Sequence, residues 1–338
     1  LRIEAWFFPI MIFLIGISII FVIFVGGRLY VSGEIQSIGV ITEFTIYVMM
    51  LTWPVATVGW VSNIVQQAEA SQGRINEFLN EKSDIETTIQ YSTPIQGDIR
   101  FENVTFTYPD TQITALKEVS FHIPQGKNIA IIGRTGSGKS TILDLITRMY
   151  DVQQGHIFID GRDVRTLNLN DLRKAISVIP QDSFLFSDTI GNNIKYGKSE
   201  ATQEEIIAVA KLAQVHDNIM DFKDGYETIL GERGISLSGG QRQRVSIARA
   251  LLKEAQIYLF DDCLSAVDTD TEEKILHNLT QIAYNTTRII VSHRVSVARN
   301  ADSILFLDNG KLIGQGTHQE LYENNQEYRN YYDTQVIE

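Results

Sequence analysis

The chain of 338 residues carries 29 Lys and Arg against 41 Asp and Glu, a net charge of −12 at pH 7. A surface of that sign repels phosphodiester backbones and excludes nucleic acid as the expected partner. The length allows more than one domain, and the single cysteine, Cys263, excludes an internal disulfide and offers no zinc-ligand spacing. Its thiol fits a small buried hydrophobe beside a strand. Only eight of the charged residues fall in the first 80 positions, so the two parts of the chain face different solvents. A first residue of Leu1 rather than Met fits a piece of a longer protein.

From Ala5 to Gly27 no residue is charged, and Phe44 to Ala68 is a second such run. A helix of about 20 residues crosses the hydrocarbon layer, so two membrane spans are expected, joined by the short polar loop around Arg28 and Glu34. A signal peptide would have a shorter apolar core, and "FFPIMIFLIGISIIFVIFV" leaves no polar face for a soluble hairpin. Too few basic residues flank the runs to orient the pair by charge alone. Pro54 should kink the second helix. Past Val65 the composition turns polar, but Ile75, Phe78 and Leu79 keep a rough helical period, so that helix should continue beyond the membrane. The stretch 81–96 loses the period, contains Pro94, and reads as a linker before Gly97.

"GKNIAIIGRTGSGKSTILDLI" holds the strongest local signal. Ile129 to Ile132 is a buried strand, Gly133 to Ser140 fits G-x-x-x-x-G-K-[ST], and a helical pattern follows. Glycines Gly133, Gly136 and Gly138, with Arg134, Thr135, Ser137 and Thr141, let backbone amides wrap a phosphate. Lys139 should reach the β- and γ-phosphates and Ser140 should bind Mg²⁺. Farther on, Ser238, Gly239, Gly240 and Gln241 open a basic amphipathic helix running to about Leu252; this is either a second anion site or an ordinary capped helix.

The ordered motifs GRTGSGKS, Gln181 in "VIPQD", LSGGQ, Asp261 in "IYLFDD", Asp268 in "SAVD" and His293 in "VSHR" resemble the ATP-binding cassette family. The resemblance covers Gly97 to Glu338, and the N-terminal hairpin with "AEASQGRINEFL" is similar to the last two membrane helices and exit linker of an exporter half-transporter. It implies a P-loop α/β cassette with a β-subdomain over Ile99 to Tyr108 and a helical insert from about Asp182 to Gly240, behind an α-helical transmembrane hairpin. The domains are then 1–80, a linker 81–96 and the cassette 97–338. Carried over by motif, Tyr108 stacks on adenine, and Gln181 contacts Mg²⁺ and couples the site to the membrane helices. Asp261 is the Walker B acid at the metal, Asp268 closes the loop that touches a partner cassette, and His293 senses the γ-phosphate. The bland alternatives are a strand-end aromatic for Tyr108, a loop residue for Gln181 and a helix cap for Asp268. Family cassettes dimerise head to tail, so each ATP is held by the P-loop of one chain and the LSGGQ of the other.

The pattern breaks at Asp262, where the family usually has a glutamate that positions the attacking water. A carboxylate one methylene short falls about 1 Å or more away, and such misplacement costs on the order of 10²-fold in rate. With Lys139, Ser140, Tyr108 and Asp261 in place, binding should survive. A shortened base beside an intact LSGGQ resembles the subunit of a heterodimeric exporter that contributes a degenerate site; a slow homodimer and a regulatory ATP-binding subunit remain open. Ile229 and Asn192 also depart from frequent acids in regions that resemble contact zones with the membrane helices. The expected function is ATP-driven export of a small drug- or lipid-like amphiphile across a bacterial inner membrane, with ATP and Mg²⁺, a second half-transporter and the lipid bilayer as partners and the cassette in the cytoplasm. A DNA-repair ATPase of the same superfamily would need a long coiled coil and no membrane spans.

Overall fold

The computed structural model describes residues 2–83, 85–86, 89, 91–231, 237–282 and 286–337. Part of the expected linker (84, 87, 88, 90) and of the helical insert (232–236) lies outside the described residues. The chain divides into two compact units, Leu1–Ser83 and Asp84–Glu338.

The first unit is a pair of helices, α1 (Arg2–Val31) and α2 (Gly39–Asn80). Both are long and apolar enough to cross a membrane. Large apolar side chains stay exposed along them, as with Ile12 and Ile20 at 69% and Trp53 at 79%, which suits lipid as the solvent. Helix α1 continues past Arg28, so the loop is shorter than the break in uncharged residues suggests. α2 runs unbroken through Pro54 to Asn80, and the polar turns after Val65 do extend the helix.

The second unit begins with β1 (Ile99–Thr107) and β2 (Thr114–Ile123), followed by β3 (Asn128–Gly133), α3 (Lys139–Ile146), β4 (Gln154–Ile159) and β5 (Arg162–Asp163). Next come α4 (Leu169–Ala175), β6 (Ile176–Ile179), and the insert helices α5 (Ile190–Lys195), α6 (Gln203–Leu212) and α7 (His216–Met220). The chain continues through α8 (Gly239–Leu252), β7 (Ile257–Asp261), α9 (Thr269–Ile282), β8 (Thr287–Ser292) and α10 (Ser296–Arg299). It ends with β9 (Ser303–Asp308), β10 (Lys311–Gly316), α11 (His318–Asn324) and α12 (Gln326–Ile337).

Two sheets form. One is four-stranded and antiparallel, in the order β2-β1-β4-β5. The other has the order β10-β9-β3-β8-β7-β6, with parallel pairing from β9 to β6 and an antiparallel β10 at the edge. All six residues of β3 are buried, as a parallel strand covered on both faces requires. Its side chains alternate: Ile129 and Ile131 enter the core shared with β1, β2 and α3, while Ala130 and Ile132 enter the core shared with the insert helices, α8 and α12. Spatially adjacent strands β3, β8, β7 and β6 deliver their C-terminal ends side by side, the edge where parallel α/β sheets bind ligands.

Candidate functional site

Each strand end carries one piece of the site. β3 feeds directly into the glycine-rich loop, and two of its glycines are required by close backbone approach. A Cβ on Gly133 would lie 2.2 Å from the Leu307 carbonyl oxygen, and one on Gly138, at φ +95°, 2.5 Å from the Ala115 carbonyl oxygen. Lys139, only 5% exposed, donates from Nζ to the Gly133 and Arg134 carbonyls, both at 2.8 Å. Burial lowers its pKa to about 8, against the opposing fields of Asp262 and Asp261. Ser137 Oγ is buried without a hydrogen-bond partner among the described residues.

β7 ends at Asp261, and Ser140 Oγ donates to Asp261 Oδ1 at 2.9 Å. The loop motif and the strand-end acid, far apart in sequence, thus meet as a hydroxyl and carboxylate pair. Burial raises the Asp261 pKa, while the Ser140 hydrogen bond lowers it. Asp262 follows with φ +44°, a left-handed conformation that aspartate enters more readily than most residues. Its amide donates to the Val291 carbonyl at 2.9 Å. Gln181, beyond the end of β6, donates from Nε2 to Asp262 Oδ2 at 3.4 Å, and His293 follows the end of β8.

These groups line one cavity of about 700 Å³ holding Tyr108, Thr135, Gly136, Lys139, Ser140 and Asp261. Gly138, Thr141, Gln181, Asp262 and His293 complete the predicted residues there. Tyr108 is half-buried, with its hydroxyl 2.9 Å from Thr141 Oγ1 and its ring edge-to-face on Phe106 and Tyr150. Burial raises its pKa, keeping the phenol neutral. Arg134 lies elsewhere: its side chain lines a second cavity of about 580 Å³ beside α12.

Ser238, Gly239, Gly240, Gln241 and Asp268 line neither cavity. Ser238 caps α8 in a reciprocal box, with Oγ accepting from the Gln241 amide at 3.2 Å and Gln241 Oε1 accepting from the Ser238 amide at 2.9 Å. A Cβ on Gly240 would meet the Ala266 carbonyl oxygen at 2.7 Å, which fixes the start of α8 against the Asp262–Asp268 loop. Gln243 strengthens the join by donating to Ser265 Oγ at 3.3 Å and accepting from the Ala266 amide at 3.0 Å. Asp268 accepts from the Thr271 amide at 3.0 Å, a bond that lowers its pKa, so it caps α9.

Several contributors escaped the sequence reading. Thr114, Ala115 and Lys117 of β2 and Asn309 and Gly310 of the β9–β10 turn wall the cavity. The Asn-Gly pair signals a hairpin turn but not its neighbour; Lys117 N donates to the Gly310 carbonyl at 2.8 Å. Arg294, next to His293, holds the Ser265 and Val267 carbonyls at 2.8 and 3.0 Å and the carboxylate of Glu272 at 2.6 Å. Nothing in "VSHR" alone points to that role.

A glycine-rich turn, a buried lysine and an oxygen pair at the C-terminal edge of a parallel sheet define a P-loop nucleotide-binding cassette. The donor set fits ATP, and the Ser140 and Asp261 oxygens fit a hard divalent cation such as Mg²⁺. The family model described as ABC transporter matches residues 116–265. The multidrug resistance-like ATP-binding protein MdlA of Escherichia coli is 41% identical over the whole chain, which covers 57% of that relative. The ABC transporter ATP-binding protein YknU of Bacillus subtilis is 40% identical over 97% of the chain, covering 56% of that relative. A solved bacterial Atm1-family ABC exporter with ATP bound superposes with a TM-score of 0.80 at 36% identity, covering 89% of this chain and 53% of the other. The chain belongs to the ABC transporter family, as its ATP-binding cassette preceded by a helical hairpin, and it spans somewhat over half the length of these relatives.

Proposed function

We propose that this chain is the ATP-hydrolysing part of an exporter in which a second cassette completes each nucleotide site. The observation that carries the reading is the separation of motifs: the P-loop, Asp261, Asp262 and His293 share one cavity, and Ser238–Gln241 lie outside it. A helix start suited to anions that lines neither of the two cavities is available to another subunit.

In this reading Tyr108 supports the adenine, Lys139 and the loop amides bind the phosphates, and Ser140, Asp261 and Gln181 hold Mg²⁺. That ion neutralises charge on the phosphates when bound. Asp262 positions the attacking water, His293 faces the γ-phosphate, and Asp268 closes the loop directed at the partner. The two helices lie in the inner membrane of a bacterium with the cassette in the cytoplasm, and residues 81–96 link them. The substrate is a small amphiphile; MdlA, described as multidrug resistance-like, supports a drug-like one.

The shortened Asp262 favours a heterodimer whose other member carries glutamate at the matching position. A homodimer with a slow base is the second reading, favoured by the intact His293. Purified intact protein tests the shortened base on which both readings rest. Lys139→Ala should lose Mg·ATP binding, and the protein alone should turn over slowly, with Asp262→Glu raising the rate by up to about 10²-fold. Brisk hydrolysis by the protein alone, with little gain from Asp262→Glu, rules out the degenerate-site reading.

A further inference from the structure

Helix α12 hydrogen-bonds the backbone of two segments that flank the larger cavity. Tyr331 of α12 places its hydroxyl 3.4 Å from the Gly133 carbonyl oxygen and 3.3 Å from the His293 carbonyl oxygen. One phenol proton is shared between these two acceptors. The Gly133 carbonyl is also an acceptor for Lys139 Nζ, so Tyr331 shares an atom with the phosphate-binding lysine. One helical turn farther, Gln335 Oε1 accepts from the Val295 amide at 3.2 Å. The Tyr331 ring is seated against Phe306, centroids 5.5 Å apart.

His293 to Val295 form the short connection between the end of β8 and the start of α10, with only a few backbone bonds to fix them. The carbonyl of the first and the amide of the third are both held from α12. Tyr331 and Gln335 also line the second cavity together with Arg134, so close packing does not back these bonds on every side.

We propose that Tyr331 and Gln335 are positioning residues that set the backbone of the His293 loop relative to the start of the phosphate loop, so that the C-terminal helix tunes hydrolysis. Neither touches the reacting atoms; both act through His293. A displacement of the imidazole by a fraction of an ångström affects the rate more than ground-state binding. The inference rests on the reading of the larger cavity as an ATP site.

The test uses the intact protein in its assembled form. The site reading is checked first: wild type binds Mg·ATP and Lys139→Ala does not, and a failure here overturns that reading, taking this inference with it. Tyr331→Phe, which keeps the ring, and Gln335→Leu should each leave Mg·ATP affinity within about twofold and lower turnover about three- to tenfold. Gln335→Glu keeps an acceptor for the Val295 amide and should retain turnover. Amide hydrogen exchange at Arg294 and Val295 should quicken in Gln335→Leu. In a His293→Ala background Tyr331→Phe should cost nothing more. Unchanged turnover in both variants overturns the proposal, as does a loss of equal size in the His293→Ala background. Should His293→Ala leave no measurable turnover, exchange decides, and unaltered exchange in Gln335→Leu overturns it.

Discussion

At the scale of single residues, Lys139 joins binding to proton chemistry. Burial lowers its pKa to about 8, because a low-dielectric surround disfavours the ammonium form. A bound polyphosphate favours that same charged form, so the pKa in the complex lies above that of the free protein. Between the two values the complex holds a proton the free protein lacks, and linkage makes affinity fall as pH rises. Mg·ATP affinity should therefore be level with respect to this group below pH 8 and weaken above it, by up to about tenfold per pH unit. Lys139→Arg remains charged throughout and should flatten the slope even if its bulkier head binds less well overall. Titration with a fluorescent ATP analogue from about pH 7 to 9.5 measures both. An equal slope in Lys139→Arg would show that another group titrates.

At the scale of elements, the loop from Asp262 to Asp268 is held by its neighbours more than by its own sequence. The start of α8 abuts it at Gly240, Gln243 bonds it, and Arg294 from the end of β8 grips two of its carbonyls. Glu272 on α9, whose side chain is 1% exposed, anchors that arginine. Glu272→Ala removes one partner of a buried pair, a change worth about 3–5 kcal/mol. The loss should fall at about 3 kcal/mol, the low end of that range, because the Arg294 side chain is 40% exposed and keeps its two carbonyls. Denaturant unfolding of the cassette measures it, and a cost below about 1 kcal/mol, typical of a surface pair, would deny Glu272 that anchoring role. Such cross-element bonds mark where the sequence stops being legible. The phosphate loop, the two aspartates at the end of β7 and the capped start of α8 could be read because each is a contiguous run whose backbone demands particular residues. The walls from Thr114–Lys117 and Asn309–Gly310, and the grips of Arg294 and Tyr331, depend on which strands lie side by side. β3 lies between β8 and β9, drawn from the far end of the chain, and no local periodicity encodes that order.

At the scale of the whole molecule, the proposed second subunit completes each nucleotide site from outside the chain. The two glycines at the start of α8 differ in what requires them. Gly240 is required by this chain's own packing, since a Cβ would strike the Ala266 carbonyl oxygen at 2.7 Å, whereas a Cβ on Gly239 would meet, among the described residues, nothing closer than the Ala266 Cβ at 3.5 Å, an ordinary contact. Alanine is also the better helix former, by about 1 kcal/mol in a helix interior and less at the first turn. In the proposed two-subunit site, a glycine that the described residues do not require, at a helix start suited to anions, leaves room for the close approach of the partner's nucleotide. Gly239→Ala should therefore leave the melting temperature of the cassette unchanged or slightly raised. It should keep Mg·ATP affinity at the chain's own phosphate loop within about twofold, because Gly239 lines no part of that cavity. Turnover by the assembled transporter should nevertheless drop about tenfold or more, as an added methyl holds the helix start off the partner's phosphate. Calorimetry, equilibrium binding and steady-state hydrolysis on the same preparation separate the three effects. Full turnover in Gly239→Ala would mean that this helix start meets no nucleotide, and a loss of binding at the chain's own site would mean that both motifs serve one cavity within a single polypeptide.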